Sequence, residues 1–223
     1  MQILRTKLMQ TKLMCYSPVD GSLVASRPTV TFNQALEQVL KARDTQKEWA
    51  DRSLEDRRDL VLIAVRELEN KNEEITIELA KMMGRPICYG GEYKGVIERT
   101  TFMSTIAKSA LANIEAGEDQ TFKRYIKRVP HGVVFVVAPW NYPYMTAINT
   151  IVPALIAGNV VIMKHAQQTL LVGERIVDAF KKAGIPEEVL SNIFLDHSTT
   201  KKLIERRVFD FVNFTGSVEG GKE

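Results

Sequence analysis

The stretch Gly132-Val133-Val134-Phe135-Val136-Val137-Ala138-Pro139-Trp140-Asn141-Tyr142-Pro143 decides the fold of this chain. Residues 133–138 are apolar on both alternating faces and rich in β-branched side chains. That pattern belongs to a central parallel strand covered by helices on both sides, not to a strand with one wet face. Pro139 cannot donate to a ladder, so the strand is expected to stop there. Trp140 and Asn141 then emerge at its carboxyl end, where open α/β sheets place their ligands. Asn141 is therefore the first candidate for chemistry.

Downstream, Ile148, Ile151, Val152, Leu155 and Ile156 predict a helix that must accommodate Pro153 and ends at Gly158-Asn159. Residues 160–163 predict a second buried strand, and the two strand starts are separated by close to the roughly 30 residues of a βαβ unit. Val172, Ile176, Ala179, Phe180 and Ala183 predict the next helix, stopped by Gly184 and Pro186. A third strand is expected at residues 193–195, a short helix at 201–206 and a fourth strand at 209–214. Thr215-Gly216-Ser217 then opens a further helix. This alternation predicts an α/β fold with a doubly wound parallel sheet, Rossmann-like and incomplete, with right-handed crossovers.

Upstream, the turn residues 17–21 separate a leading strand candidate from a strand at 22–26. Thr31 with Gln34 makes a capping box for a helix carrying Leu36, Val39, Leu40 and Arg43 up to Trp49. Ser53 caps the next helix, with Val61, Val65 and Leu68 on one face. Ile75, Leu79 and Met82 mark another, ended by Gly84-Arg85-Pro86. A fourth helix is expected at about residues 92–113, with Val96, Phe102, Ile106 and Leu111 as its apolar face, running out through residues 117–120. Residues 121–129 alternate Phe122, Tyr125 and Val129 with Lys123, Arg124, Lys127 and Arg128. They read as an exposed strand with a solvated basic face, or as an oligomerisation strand or hairpin, or as an anion-binding edge. The expected organisation is a helical part over 1–120, an oligomerisation segment over 121–131 and the dinucleotide-binding sheet over 132–223.

Composition narrows the partners. The 223 residues are 45% hydrophobic and 26% charged, and the net charge of +3 from 30 basic and 27 acidic residues is too balanced for a nucleic-acid partner. Residues 1–14 lack the apolar core of a signal peptide, and no run reaches the roughly 20 apolar residues of a membrane span. The two cysteines, Cys15 and Cys88, make no disulfide framework. No nucleic acid, no membrane, no metal and a cytoplasmic location are the expectations.

Three polar clusters directly follow strands: Asn141, Lys164, and Gly216 with Ser217. In a parallel sheet all three come out on one rim. A Gly-Ser turn opening a helix presents free N–H groups suited to a pyrophosphate. Taken singly, Lys164 reads as a snorkelling strand-end lysine and Asn141 as a turn residue.

Together, Pro139-Trp140-Asn141-Tyr142-Pro143, the helix end over 153–159, Lys164-His165-Ala166-Gln167-Gln168-Thr169, Phe214-Thr215-Gly216-Ser217 and Met83-Gly84-Arg85-Pro86 resemble the aldehyde dehydrogenase superfamily, from about Ser17 to the last residue. The resemblance implies NAD(P)-dependent oxidation of a small-molecule aldehyde to a carboxylate. It also implies a cysteine nucleophile, a glutamate that activates water, and a full-length homodimer or homotetramer. By position, Asn141 matches the donor to the reacting oxyanion and Lys164 the lysine on the adenosine ribose. Gly216, Ser217 and Gly221 match the pyrophosphate turn, and Ala138, Pro139 and Trp140 the wall beside the cofactor. At Gln167, NAD-preferring members commonly carry Glu, which repels a 2′-phosphate; two like charges about 4 Å apart at an effective dielectric of about 20 repel by about 4 kcal/mol. Glutamine removes that repulsion, so NADP as well as NAD is expected to be accepted. The family's nucleophile and general base fall beyond Glu223, so the chain is expected to be an N-terminal half that is inactive alone, with neither Cys15 nor Cys88 substituting. The alternatives are an acyl-phosphate or acyl-CoA reductase of the same superfamily and a non-catalytic dinucleotide-binding module.

Overall fold

A computed structural model describes residues 11–118 and 121–222. Strands β1 (Lys12–Tyr16) and β2 (Leu23–Pro28) form an antiparallel hairpin across the expected turn. Helix α1 (Phe32–Asp51) opens on the capping box: Gln34 N donates to Thr31 Oγ1 at 3.3 Å, and Thr31 N donates to Gln34 Oε1 at 2.8 Å. Its buried face is Ala35, Val39, Ala42 and Trp49, while Leu40 is exposed. Small residues on that face let the helix lie close against the central sheet. Helix α2 (Leu54–Glu69) is capped by Ser53, whose hydroxyl accepts from Asp56 N, and buries Val61, Val65 and Leu68. Helix α3 (Asn72–Met83) buries Ile75, Leu79 and Met82 and ends on Gly84 in the left-handed conformation (φ 73°), as a C-terminal glycine permits.

Two expectations fail next. Helix α4 (Tyr93–Ala110) buries Val96, Thr100, Ser104 and Ala107 and exposes Phe102 and Ile106. Mostly small side chains make up the buried face of this helix, which packs against both α2 and α5 (Pro143–Ile156). Residues 114–118 are not a helix run-out but strand β3 (Ile114–Glu118), paired antiparallel with β4 (Lys123–Ile126). Gly117, at φ 118°, sits at a register shift in that ladder, a conformation that only glycine adopts easily. The hairpin thus starts before residue 121. The expected boundary at residue 120 lies outside the described residues.

The rest alternates as predicted: β5 (Val133–Val137), α5 (Pro143–Ile156), β6 (Val160–Lys164), α6 (Val172–Lys182), β7 (Leu190–Asn192), α7 (His197–Glu205), β8 (Phe211–Phe214) and α8 (Val218–Lys222). The third strand lies earlier than the expected 193–195. Its register is fixed by β6, which pairs Val161 with Leu190 and Met163 with Asn192. Ile193 adds one last bond to Met163 O (2.8 Å), and the chain then leaves the sheet. Ile193 and Leu195 are buried as packing residues, which is why their apolarity resembles a strand.

The sheet order is β7-β6-β5-β8, all parallel. The chain walks outward from β5 to β7 and returns to the other side of β5 as β8. The reversal creates a switch point between β5 and β8, whose carboxyl end forms a crevice. Every residue of β5 and β6 is buried, so both faces of the sheet's centre are covered.

The carboxyl end of α5 is held by side chains from α1 and α2. Trp49 Nε1 donates to Leu155 O (3.0 Å), Arg57 Nε to Ile156 O (3.0 Å) and Gln46 Nε2 to Gly158 O (2.9 Å). These donors satisfy carbonyls that a helix end leaves free, and the Arg57 cation sits at the negative end of the dipole. Asn159 links this end to the start of β5: its Oδ1 accepts from Gly132 N (3.0 Å) and its Nδ2 donates to Ala154 O (3.1 Å). Among the described residues, no helix is long and apolar enough to cross a membrane.

Candidate active site

Register, not sequence proximity, assembles the rim. Val137, the last residue of β5, pairs with Lys164 at the end of β6 and with Phe214 at the end of β8. The ladder continues one bond beyond: Ala138 N donates to Lys164 O and Thr215 N to Val137 O, both at 3.0 Å. The loops carrying Asn141, Gln167 and Gly216 therefore leave the sheet side by side. Ala138 and Pro139 are buried at the base of the first loop, while Trp140, Asn141 and Tyr142 are exposed above it.

Lys164 is 7% exposed, and no carboxylate pairs with it among the described residues; burial lowers its pKa. Gly216 packs on the ring of Phe214, where an added Cβ would lie 2.6 Å from the ring carbon Cζ. Ser217 caps α8, its hydroxyl accepting from Gly220 N at 3.1 Å. Gly221 lies in the same short helix, where an added Cβ would make only ordinary contact with that ring. Gln167 is exposed, and its amide nitrogen donates to Met14 O (2.8 Å). Cys15 donates to Gln168 O (3.1 Å), so the β1–β2 hairpin braces the loop after β6.

His165, next to Lys164, is fully enclosed. Its Nδ1 accepts from Ala166 N (3.0 Å) and lies 3.0 Å from Thr169 Oγ1. Since a backbone N–H can only donate, Nδ1 carries no proton, and Nε2–H faces Pro143 O at 3.3 Å. The ring is neutral: burial first, and the Lys164 charge as a lesser cause, bring its pKa down to about 4. Through this bond the loop after β6 grips the first turn of α5.

The other side of that turn shows what the sequence concealed. Glu92 Oε2 accepts from Met145 N (2.8 Å), and Arg85 Nη1 donates to Glu92 Oε1 (2.7 Å). The Arg85 guanidinium lies 5.1 Å from the ring centre of Tyr142. Arg85, Glu92, Tyr142 and Met145 help line a cavity of about 790 Å³, together with Cys88 and Lys94. Cys88 is exposed and lines the same cavity as Tyr142, the residue following Asn141. Cys15 is buried, and burial raises its thiol pKa, the opposite of what a nucleophile needs. Nothing in the spacing of Arg85 and Glu92 relates them to residues more than fifty positions on. Among the described residues, no cluster of three His, Cys, Asp or Glu side chains could hold a metal.

A parallel sheet that reverses at a switch point, with ligand-facing loops on its carboxyl rim, is the half-fold of dinucleotide-binding enzymes. Within that class the chain belongs to the aldehyde dehydrogenase family, whose sequence profile matches residues 6–223. One curated relative, the D-glyceraldehyde dehydrogenase (NADP(+)) of Picrophilus torridus, is 28% identical over 209 residues, covering 93% of this chain and 42% of the relative. The crystal structure of NADP-dependent glyceraldehyde-3-phosphate dehydrogenase from Bacillus halodurans C-125, complexed with NADP, superposes with a TM-score of 0.87 at 27% identity, covering 95% of this chain and 46% of that one. A NAD-dependent benzaldehyde dehydrogenase from Corynebacterium glutamicum gives the same TM-score at 25% identity, with 95% and 47% covered. The chain thus spans about half the length of the relatives it matches.

Proposed function

We propose that this chain supplies the cofactor-binding loops and the oxyanion donor of an NAD(P)-dependent aldehyde dehydrogenase that oxidises an aldehyde to a carboxylate. The observation that carries it is the pairing of Val137 with both Lys164 and Phe214, which brings three polar loops to one switch-point crevice. The bound nicotinamide supplies the hydride acceptor. Lys164 offers its ammonium to the adenosine ribose hydroxyls. Gly216, Ser217 and Gly221 line the pyrophosphate, and Ala138, Pro139 and Trp140 wall the cofactor. Asn141 donates its side-chain amide to the aldehyde oxygen as negative charge develops there, without itself carrying a charge to desolvate; such a donor contributes about 3 kcal/mol. A neutral Gln167 leaves room for the 2′-phosphate of NADP, in keeping with the NADP-dependent relatives. Cys15 is hidden and tied to Gln168 O, and Cys88 lies between α3 and α4 rather than on a loop of the sheet's carboxyl rim, so the nucleophile is assigned to the remainder of the whole protein, and the chain alone is expected not to turn over.

The test is nicotinamide reduction by the whole protein over a panel of aliphatic, aromatic and semialdehyde substrates, with NAD and with NADP. Asn141→Ala is expected to lower kcat by about 10²- to 10³-fold with cofactor affinity unchanged. Absence of aldehyde-dependent reduction with either cofactor refutes the proposal.

A further inference from the structure

The turn that presents Asn141 has no cap of its own. Tyr142, the residue before α5, sits in the left-handed region (φ 48°, ψ 54°) and caps nothing with its side chain, and Pro143 has no N–H to give. The first turn of α5 therefore exposes N–H groups that need an acceptor from elsewhere. Glu92, at the start of α4, provides it to Met145 N at 2.8 Å. Arg85 pairs with the other carboxylate oxygen at 2.7 Å, and the two side chains are only 12% and 4% exposed. Arg85 also lies over the ring of Tyr142.

A buried ion pair is a poor device for stability, because desolvating both charges offsets their attraction and a hydrophobic pair of similar volume does as well. This pair instead makes two directional contacts that bracket one turn, and Asn141 is the next residue back along the chain. We propose that Glu92 and Arg85 are positioning residues, a two-sided clamp on residues 142–145 that aims the Asn141 amide at the rim. Glu92 fixes the helix end and Arg85 fixes the ring between that end and Asn141. The role in turnover rests on the oxyanion-donor assignment of Asn141; the clamp itself does not.

The chain's two tryptophans separate local from global effects: Trp140 adjoins Asn141, and Trp49 lies in the core. With 5-fluorotryptophan incorporated, Glu92→Ala is expected to shift or broaden the Trp140 fluorine signal and leave Trp49 in place. Exchange protection of the Met145 amide should fall about tenfold or more, as expected for loss of a charged acceptor. Glu92→Gln keeps an acceptor and should restore most of both readouts. Arg85→Lys keeps the charge but loses the planar group over Tyr142, so it should move Trp140 while sparing Met145. If Glu92→Ala loses the Trp49 signal, these two milder variants decide. Unchanged Trp140 and Met145 signals overturn the clamp. In the whole protein, Glu92→Ala should lower kcat with cofactor affinity and aldehyde KM held, and Glu92→Gln should recover part of it. Altered Trp140 with unaltered kcat overturns the role in positioning Asn141. A wild type with no aldehyde oxidation fails the proposed function alone, since the spectroscopic measurements still decide the clamp.

Discussion

Acidification should strike this protein first at His165. The unfolded chain takes up a proton there near the ordinary pH of 6.5, whereas the folded ring resists until about 4. Between those values the unfolded state binds more protons, so stability falls as pH falls. The contribution is fully present above 6.5 and gone below about 4. A difference of about 2.5 pKa units corresponds to about 3 kcal/mol, a large share of the roughly 5–15 kcal/mol that holds a domain folded. Geometry gives the same sign: a second ring proton would sit on Nδ1, facing the Ala166 N–H that now donates to it. His165→Leu should lose about 1–3 kcal/mol near neutrality, because the Ala166 N–H and Pro143 carbonyl lose a partner. It should also lose the acid slope, so the two stability curves converge as pH falls. Urea denaturation from about pH 7 to about pH 4.5 measures both, and proton resonances of the three histidine rings locate the titration directly. A His165 ring titrating near 6.5, or parallel curves for the two proteins, refutes the inference.

Gly158, at φ 89°, has Ala50 Cα 3.3 Å from where a Cβ would sit, while Gly21, at φ 72°, has nothing within 4 Å. Gly158→Ala should therefore cost about 1–3 kcal/mol and more than Gly21→Ala, which carries backbone strain alone; equal losses by denaturation would show that the approach to α1 is unimportant. On the hairpin, Ile114 and Ile126 pair across β3 and β4, and both are exposed. Replacing both by Asp should reduce the mass of the whole protein in light scattering, and an unchanged mass would remove the hairpin from assembly.

The local elements were legible wherever one short-range signal was sufficient. The capping box at Thr31, the Ser53 cap, the Gly84 stop and the two-faced apolar run of β5 need only neighbours in sequence, and the structure carries each of them. The rim was also foreseeable, because parallel strands must deliver Asn141, Lys164 and Gly216 to the same edge. Where partners come from far along the chain, the sequence misled. The apolarity of Phe102 and Ile106 suggested a buried face, but α4 turns Val96, Thr100, Ser104 and Ala107 inward instead. The apolarity of Ile193 and Leu195 suggested a strand, but β6 sets the register earlier. The neutral state of His165, the uncompensated charge of Lys164, and the reach of Arg85 and Glu92 to the turn after Asn141 were decided by tertiary structure alone. Burial and long-range hydrogen bonding depend on which surfaces meet, and residue spacing along the chain does not encode that.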